Sequence, residues 1–97
     1  MLPMTNRTLI IDTLHKIGAT VELAGFVQTK RDHGKITFID LRDRSGIVQC
    51  VGYQMMGEVT TESVIRITGE VKARPEKMIN PEIATGTVEI DVKSYEV

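Results

Sequence analysis

Five segments of this 97-residue chain alternate apolar and polar side chains, which is the period of strands with one buried face. The apolar positions fall into five groups: Val21, Leu23 and Val27; Ile39 and Leu41; Val48 and Cys50; Ile65, Ile67, Val71 and Ala73; Val88, Ile90 and Val92. An open sheet of this kind would leave unpaired edges that promote aggregation. We therefore expect the strands to close on themselves as a barrel.

The order of the predicted elements narrows the choice of barrel. The strands are predicted at residues 19–30, 35–42, 47–53, 63–74 and 87–95. A helix is predicted from Thr8 to Ile17, ended by Gly18, and a polar connector (54–62) follows the third strand. This order is typical of the OB-fold, an all-β, five-stranded Greek-key barrel that binds oligonucleotides or sugars on one face.

Length and composition exclude several classes of function. We expect residues 1–97 to form a single OB-fold domain, with a flexible tail at residues 1–5. No run reaches the ~20 apolar residues of a membrane helix. The lone Cys50 fits a cytoplasmic protein, while His15 and His33 are too isolated for a metal site. No nucleophile–base arrangement or phosphate-binding glycine loop is present, so no catalytic residue is assigned.

The charge distribution points to a local binding site. The net charge is −1, from 12 basic and 13 acidic residues, whereas a general nucleic-acid coat protein is usually basic. Residues 28–44 and 72–77 each carry a net charge of +2. In an OB-fold both stretches lie on the strands and loops of the binding face. Any nucleic-acid partner should therefore be held by this face rather than by bulk attraction.

Strand alternation predicts which side chains face outward. Phe38 and Asp40 on the second strand and Gln49 on the third should point away from the core. The outward residues of the last two strands are polar: Arg66, Thr68, Glu70, Lys72, Arg74, Glu89, Asp91 and Lys93. Phe38 is then covered by the 54–62 connector, or it stacks on a nucleobase, an interaction worth ~1–3 kcal/mol. Phe26 is interpreted as a packing residue.

Each polar candidate has a functional and a structural interpretation. The arginines and lysines could be solvated barrel surface or could bind nucleic acid: Arg31, Arg42, Arg44, Lys72 and Arg74. Gln49 and Glu89 could hydrogen-bond base edges, as arginine can with two donors. Asp40 and Asp43 stand beside arginines, so we interpret them as ion-paired structural residues rather than acid catalysts.

Several stretches together carry a family resemblance. They are Phe26-Val27, Arg31-Asp32-His33-Gly34, the run from Phe38 to Gln49, Gly69 to Glu76, Ile79-Asn80-Pro81 and Thr85-Gly86. From about Leu14 to Val97 the chain closely resembles the N-terminal anticodon-binding domain of bacterial-type aspartyl-tRNA synthetase. The run from Arg31 to Gln49 is the specific part, since asparaginyl and lysyl enzymes with the same fold match it less well.

The resemblance implies a module that binds the anticodon stem-loop of tRNA-Asp. In the family, the residue matching Phe38 stacks on the middle anticodon base, and those matching Arg31 and Gln49 contact that base. The residues matching Arg74 and Glu89 help to read the flanking bases. These roles agree with the outward positions that alternation predicts.

Other positions match the family less completely. Phe26 stands where tryptophan is usual, Lys72 where arginine is frequent, and Met78 where a polar residue can contact the anticodon. Lys72 is retained as a candidate contact, whereas Met78 is not. His33 and Lys77 match positions that help decide whether tRNA-Asn is charged besides tRNA-Asp. His33 resembles the relaxed type and Lys77 the strict type, so the choice stays open.

The resemblance also implies functions that lie outside this chain. Family members carry a class II catalytic domain after the barrel, and ATP and magnesium would belong there, so no cofactor is expected in this domain. The chain alone is not expected to be an enzyme, and an excised domain is favoured over a free-standing protein. The full-length enzyme should be a homodimer and the isolated domain a monomer.

Two other functions are alternatives to the anticodon-binding module. The chain could be a free-standing general single-stranded nucleic-acid-binding protein, or a structural or dimer-forming barrel.

Overall fold

Five strands close into a barrel in the computed structural model, which describes residues 8–97. They are β1 (Thr20–His33), β2 (Ile36–Asp43), β3 (Gly46–Tyr53), β4 (Val64–Ala73) and β5 (Val88–Glu96). The hydrogen-bonded order is β1-β2-β3-β5-β4, and β4 pairs with β1 to complete the barrel. Only the β3–β5 pair is parallel among these neighbours. The predicted OB-fold is confirmed, and the tail expected at residues 1–5 lies outside the described residues.

The core is built from the inward positions that alternation predicts. Its buried members include Val21, Leu23, Val27, Ile39, Leu41, Val48, Cys50, Ile65, Ile67, Val71, Val88, Ile90 and Val92. Ala73 was expected among them but is exposed, because it ends β4 beyond the packed part of the barrel. Phe26 is 39% exposed, so its interpretation as a packing residue is wrong. Its neighbour Val27 points into the core, which turns Phe26 outward.

The predicted N-terminal helix is shorter and tighter than its sequence pattern indicates. It is a 3-10 helix, Ile10–His15, that buries Ile10 and Thr13, while Ile17 lies beyond it and is exposed. A second 3-10 turn, Glu76–Met78, lies between β4 and β5. Within residues 8–97 no helix is long and apolar enough to cross a membrane.

Asp43 fixes the 3-10 helix to the β2–β3 turn. One carboxylate oxygen accepts the Ser45 N–H at 2.7 Å and the Gly46 N–H at 3.2 Å, and the other accepts the Ile10 N–H at 2.9 Å. Asp43 is therefore structural, as predicted, but through backbone hydrogen bonds. Among the described residues its carboxylate forms no ion pair with Arg42 or Arg44.

The 54–62 connector packs onto the barrel without forming a helix. It inserts Met56 and Val59 into the core. Lys30 Nζ donates to the Gly57 carbonyl at 2.5 Å, and the Tyr95 hydroxyl donates to a Glu58 carboxylate oxygen at 2.5 Å. The connector is thereby tied to β1 and to β5.

Gly25 permits a close approach of β1 to β2, and alanine there should destabilise the barrel. An added Cβ would lie 2.9 Å from the Arg42 carbonyl carbon and would overlap its oxygen. We expect Gly25→Ala to lower the free energy of unfolding by about 1–3 kcal/mol, measured by urea denaturation. Gly57→Ala is the matched control, since its Cβ would meet nothing within 4 Å. Equal losses in the two variants would contradict the steric account.

Asp43→Ala should destabilise the fold through the loss of its charged hydrogen bonds. We expect the free energy of unfolding to fall by about 1.5–3 kcal/mol. Asp43→Asn should cost less, because its amide oxygen still accepts part of the turn's hydrogen bonds. Asp12→Ala is the control, since Asp12 is exposed on the same helix. If Asp43→Ala unfolds at the same urea concentration as the control, Asp43 does not hold this corner.

Candidate nucleic-acid interface

The outward sides of the strands form one continuous surface, which we call the outer face. Paired residues on neighbouring strands point the same way, so the face consists of rows. One row contains Arg31, Phe38, Val51, Asp91 and Glu70. The next row on one side contains Thr29, Asp40, Gln49, Glu89 and Lys72, and the row on the other side begins with His33, Ile36 and Tyr53.

Phe38 lies in the middle of the outer face and is half-buried. The Arg31 guanidinium carbon is 5.3 Å from the centre of its ring, within cation–π range. The His33 ring meets it edge-on, with centroids 5.5 Å apart and an interplanar angle of 80°. Beside it, Val51 is 7% exposed yet stands outside the core cluster. Arg31 and His33 thus position the Phe38 ring, and Val51 adds a small apolar patch beside it.

A chain of hydrogen bonds joins three predicted site residues. Arg31 Nη2 donates to Gln49 Oε1 at 3.1 Å, and Gln49 Nε2 donates to Glu89 Oε1 at 3.3 Å. The three residues come from β1, β3 and β5, and Gln49 and Glu89 are 40 residues apart in sequence. The bonds orient the Gln49 amide and hold the Glu89 carboxylate near it. Arg31, Phe38, Gln49 and Glu89 therefore form one cluster.

Arg74 ties the β4–β5 loop to β5. Its Nε donates to the Val88 carbonyl at 3.0 Å, and its Nη1 donates to the Met78 carbonyl at 3.2 Å. Val88 directly precedes Glu89 on β5, so the guanidinium sits at the edge of the cluster. Two of its five N–H donors serve these bonds, and three others can serve a ligand.

Lys72 is paired with a carboxylate that was not among the predicted site residues. Its ammonium lies 3.3 Å from Asp91 Oδ2, and the Lys93 ammonium lies 3.0 Å from the same oxygen. The Lys93 hydrogen bond, aided by that of Lys72, holds the pKa of Asp91 below its usual value. The Asp91 hydrogen bond also raises the pKa of Lys72. Lys72 therefore keeps its charge but is oriented along the β4–β5 ladder.

The remaining predicted residues lie in different places. His33 is exposed and contacts Phe38, whereas Lys77 is exposed on the Glu76–Met78 turn. Asp40 accepts a hydrogen bond from the Thr29 hydroxyl and was wrongly interpreted as ion-paired, because its outward carboxylate meets that hydroxyl across the ladder. Asp40 forms no ion pair within residues 8–97.

No metal centre is evident in the part of the chain that the structure describes. Residues 8–97 contain no group of three or more His, Cys, Asp or Glu side chains placed to hold an ion. Cys50 lies in the core, as predicted, and burial raises the pKa of its thiol. A buried thiol with a raised pKa is a poor nucleophile and metal ligand.

Sequence reasoning missed two residues of the outer face, Val51 and Tyr53. Both follow Gln49 with the period of two, so the alternation that placed Gln49 outward also applies to them. An outward position was not predicted for Val51, because an apolar residue in a strand is normally assigned to the core. An outward position was not predicted for Tyr53, because it lies at the end of β3, where the connector begins.

Comparison with known proteins agrees with this surface. Residues 21–97 match a family model named for the tRNA anticodon and described as an OB-fold nucleic acid binding domain. The aspartate–tRNA(Asp/Asn) ligase of Cyanothece sp. is 44% identical over 91 residues, covering 86% of this chain and 15% of the relative. That of Halothermothrix orenii is 49% identical over 83 residues, covering 77% and 14%. The chain thus spans only about one seventh of these relatives.

A solved tRNA synthetase structure contains a similar fold. The asparaginyl-tRNA synthetase from Pyrococcus horikoshii, complexed with asparaginyl-adenylate, has a TM-score of 0.77 and 27% identity, covering 97% of this chain and 22% of that one. The matched region of the family model includes β2 to β5 and all but the first residue of β1. The chain therefore belongs to the family of OB-fold nucleic acid binding domains.

Proposed function

We propose that this barrel binds the anticodon loop of tRNA-Asp as the anticodon-binding module of an aspartate–tRNA ligase. The observation that carries the proposal is the cluster of Arg31, Phe38, Gln49 and Glu89 on the outer face. Proteins read RNA sequence mainly in single-stranded loops, whose bases stack on aromatic rings and hydrogen-bond to side chains. The cluster offers a ring, a cation, an amide and a carboxylate for these contacts. The names of the two relatives support the same ligand.

Each residue takes a distinct role in the proposed complex. Phe38 stacks on the middle anticodon base, and Arg31 and Gln49 contact that base from beside the ring. Glu89 accepts hydrogen bonds from a flanking base, since carboxylates accept from base amino groups. Arg74 contacts the other flanking base or its phosphate.

The remaining candidate residues supply positive charge or influence which tRNA is bound. Lys72 contributes positive charge for the backbone. His33 and Lys77 influence whether the loop of tRNA-Asn is accepted beside that of tRNA-Asp. Both relatives are named for the two tRNAs, which supports testing the two loops together.

In the proposed ligase, tRNA binding and catalysis belong to different domains. The chain spans 14–15% of its relatives, and we assign aminoacylation, with ATP and magnesium, to a catalytic domain outside it. The domain alone binds RNA as a monomer in the cytoplasm, while the full-length ligase acts as a homodimer. Pure domain should therefore show no aspartate-dependent ATP–pyrophosphate exchange.

A specific anticodon site is favoured over a general single-strand-binding groove. Such grooves follow the phosphate backbone with continuous positive charge. Here the outer face also carries the carboxylates of Glu89, Asp91 and Glu70, and the net charge is −1. A carboxylate near RNA is unfavourable unless it accepts a hydrogen bond from a base.

Phe38→Ala should weaken binding of an aspartate anticodon stem-loop by ~1–3 kcal/mol, because it removes a stacking surface. The dissociation constant is measured by fluorescence anisotropy with a labelled stem-loop. Phe26→Ala is the matched control, since Phe26 is the only other phenylalanine and is exposed at the opposite end of the β1–β2 pair. Equal affinities for wild type and Phe38→Ala would contradict the proposal, provided that both proteins are folded.

Gln49→Ala and Glu89→Ala should reduce discrimination between bases more than overall affinity. Each lost base contact is expected to cost ~1–3 kcal/mol of discrimination. The ratio of affinities for the aspartate loop and its single-base variants measures this. Arg74→Ala is the contrast, because arginine serves phosphate as well as base and its loss should weaken every loop.

The hydrogen bond between Gln49 and Glu89 makes their effects interdependent. The double variant should therefore lose less discrimination than the sum of the two single variants. If neither single variant changes the ratio for any anticodon position, both side chains are solvated surface and the assigned roles are wrong.

A further inference from the structure

Tyr53 is a second aromatic residue on the outer face, and the roles proposed above do not use it. It is the last residue of β3 and is 59% exposed. Its position pairs with Ile36 of β2, one row beyond the pair of Phe38 and Val51. No side-chain hydrogen bond within residues 8–97 involves its hydroxyl. Packing and hydrogen bonding in the barrel therefore do not account for this side chain.

Tyr53 and Phe38 are diagonal neighbours across the β2–β3 pair. Residues related in this way lie roughly 7–8 Å apart, within reach of aromatic side chains. Val51 and Ile36, which complete the two rows, are buried and half-buried. The four side chains form an apolar strip that runs from Phe38 to Tyr53. Isolated exposed aromatics are ordinary, but an aromatic at each end of one strip is a surface for two stacked bases.

A lysine beside Tyr53 suits a phosphate backbone. Lys93 is exposed on β5, two residues beyond the position that pairs with Val51. The nearby Asp91 carboxylate is neutralised by its two lysine partners. Lys93 therefore places a cation on the β5 side of Tyr53.

We propose that Tyr53 stacks on a nucleotide immediately outside the anticodon triplet and so extends the RNA site from Phe38 to the end of β3. The ligand is one further unpaired nucleotide of the same RNA loop, with its phosphate near Lys93. This inference rests on the proposed function, since it needs RNA on the outer face. It goes beyond that function because it assigns a second stacking position and a nucleotide outside the triplet.

Tyrosine fluorescence tests the contact directly. The chain has two tyrosines and no tryptophan, so Tyr53 is the only tyrosine left in a Tyr95→Phe variant. That variant is titrated with an unlabelled aspartate anticodon stem-loop, with correction for absorption by the RNA. We expect the emission to be quenched in parallel with binding, because a stacked base quenches the tyrosine excited state.

Affinity measurements locate the nucleotide. Tyr53→Ala should weaken binding of the stem-loop about 5- to 150-fold, the range for one stacked base, while Tyr53→Phe keeps the ring and the affinity. Val64→Ala is the matched control, since Val64 is 71% exposed at the far end of the outward side of β4. Stem-loops with an abasic nucleotide just 5′ or just 3′ of the anticodon are then compared. With one of them, Tyr53→Ala should have little further effect.

The outcomes separate this inference from the function on which it rests. If Phe38→Ala weakens binding but Tyr53 emission and Tyr53→Ala affinity are unchanged, the second stacking position is wrong and the anticodon site stands. A Tyr53→Ala effect that persists with both abasic loops also overturns the assignment. So does loss of a domain dimer in Tyr53→Ala at unchanged RNA affinity, which would mark a protein contact. A stem-loop that does not bind the wild-type domain overturns both proposals.

Discussion

The pairing of β1 on both of its edges is the constraint on which the rest of the structure depends. Residues 20–26 of β1 pair with β4, and residues 26–33 pair with β2, so one strand closes the barrel. Gly25 lies where the two partners meet and lets β1 approach the Arg42 backbone. Closure leaves each strand one side for the core and one for solvent. The register of the closed sheet then fixes which outward side chains are neighbours.

The outer face combines its charges in a way that favours recognition over general attraction. Lys72 and Lys93 share Asp91, Arg31 contacts Gln49, and Arg74 binds two backbone carbonyls. These partners restrict the cations before any ligand arrives, so less conformational freedom is lost on binding. The same partners reduce the free positive charge that would hold an arbitrary strand. A nearly neutral face whose cations are already oriented is suited to reading a few bases.

The sequence predicts the barrel well because its period-two alternation reports directly which side of each strand is buried. It predicts the N-terminal helix poorly, since the start of that helix is bound by Asp43, 33 residues away from Ile10, and local periodicity does not report such a contact. The outward direction of Phe38 and Gln49 also follows from alternation. That Gln49 meets Glu89 does not, because it needs the parallel β3–β5 crossover, which local pattern does not encode. Alternation also predicts that Tyr53 points outward, but only the pairing of β2 with β3 shows that it lies diagonally opposite Phe38.

Glu89 explains how so small a surface could discriminate between bases in the proposed complex. Its carboxylate is half-buried and tied to Gln49, so it cannot easily move away from a bound loop. A base that donates a hydrogen bond satisfies the charge. A base that presents an acceptor leaves the second carboxylate oxygen desolvated and without a donor, which costs more than the loss of one ordinary hydrogen bond. Phe38 stacks on any base, whereas Glu89 makes wrong bases unfavourable, and specificity follows from the difference between these two effects.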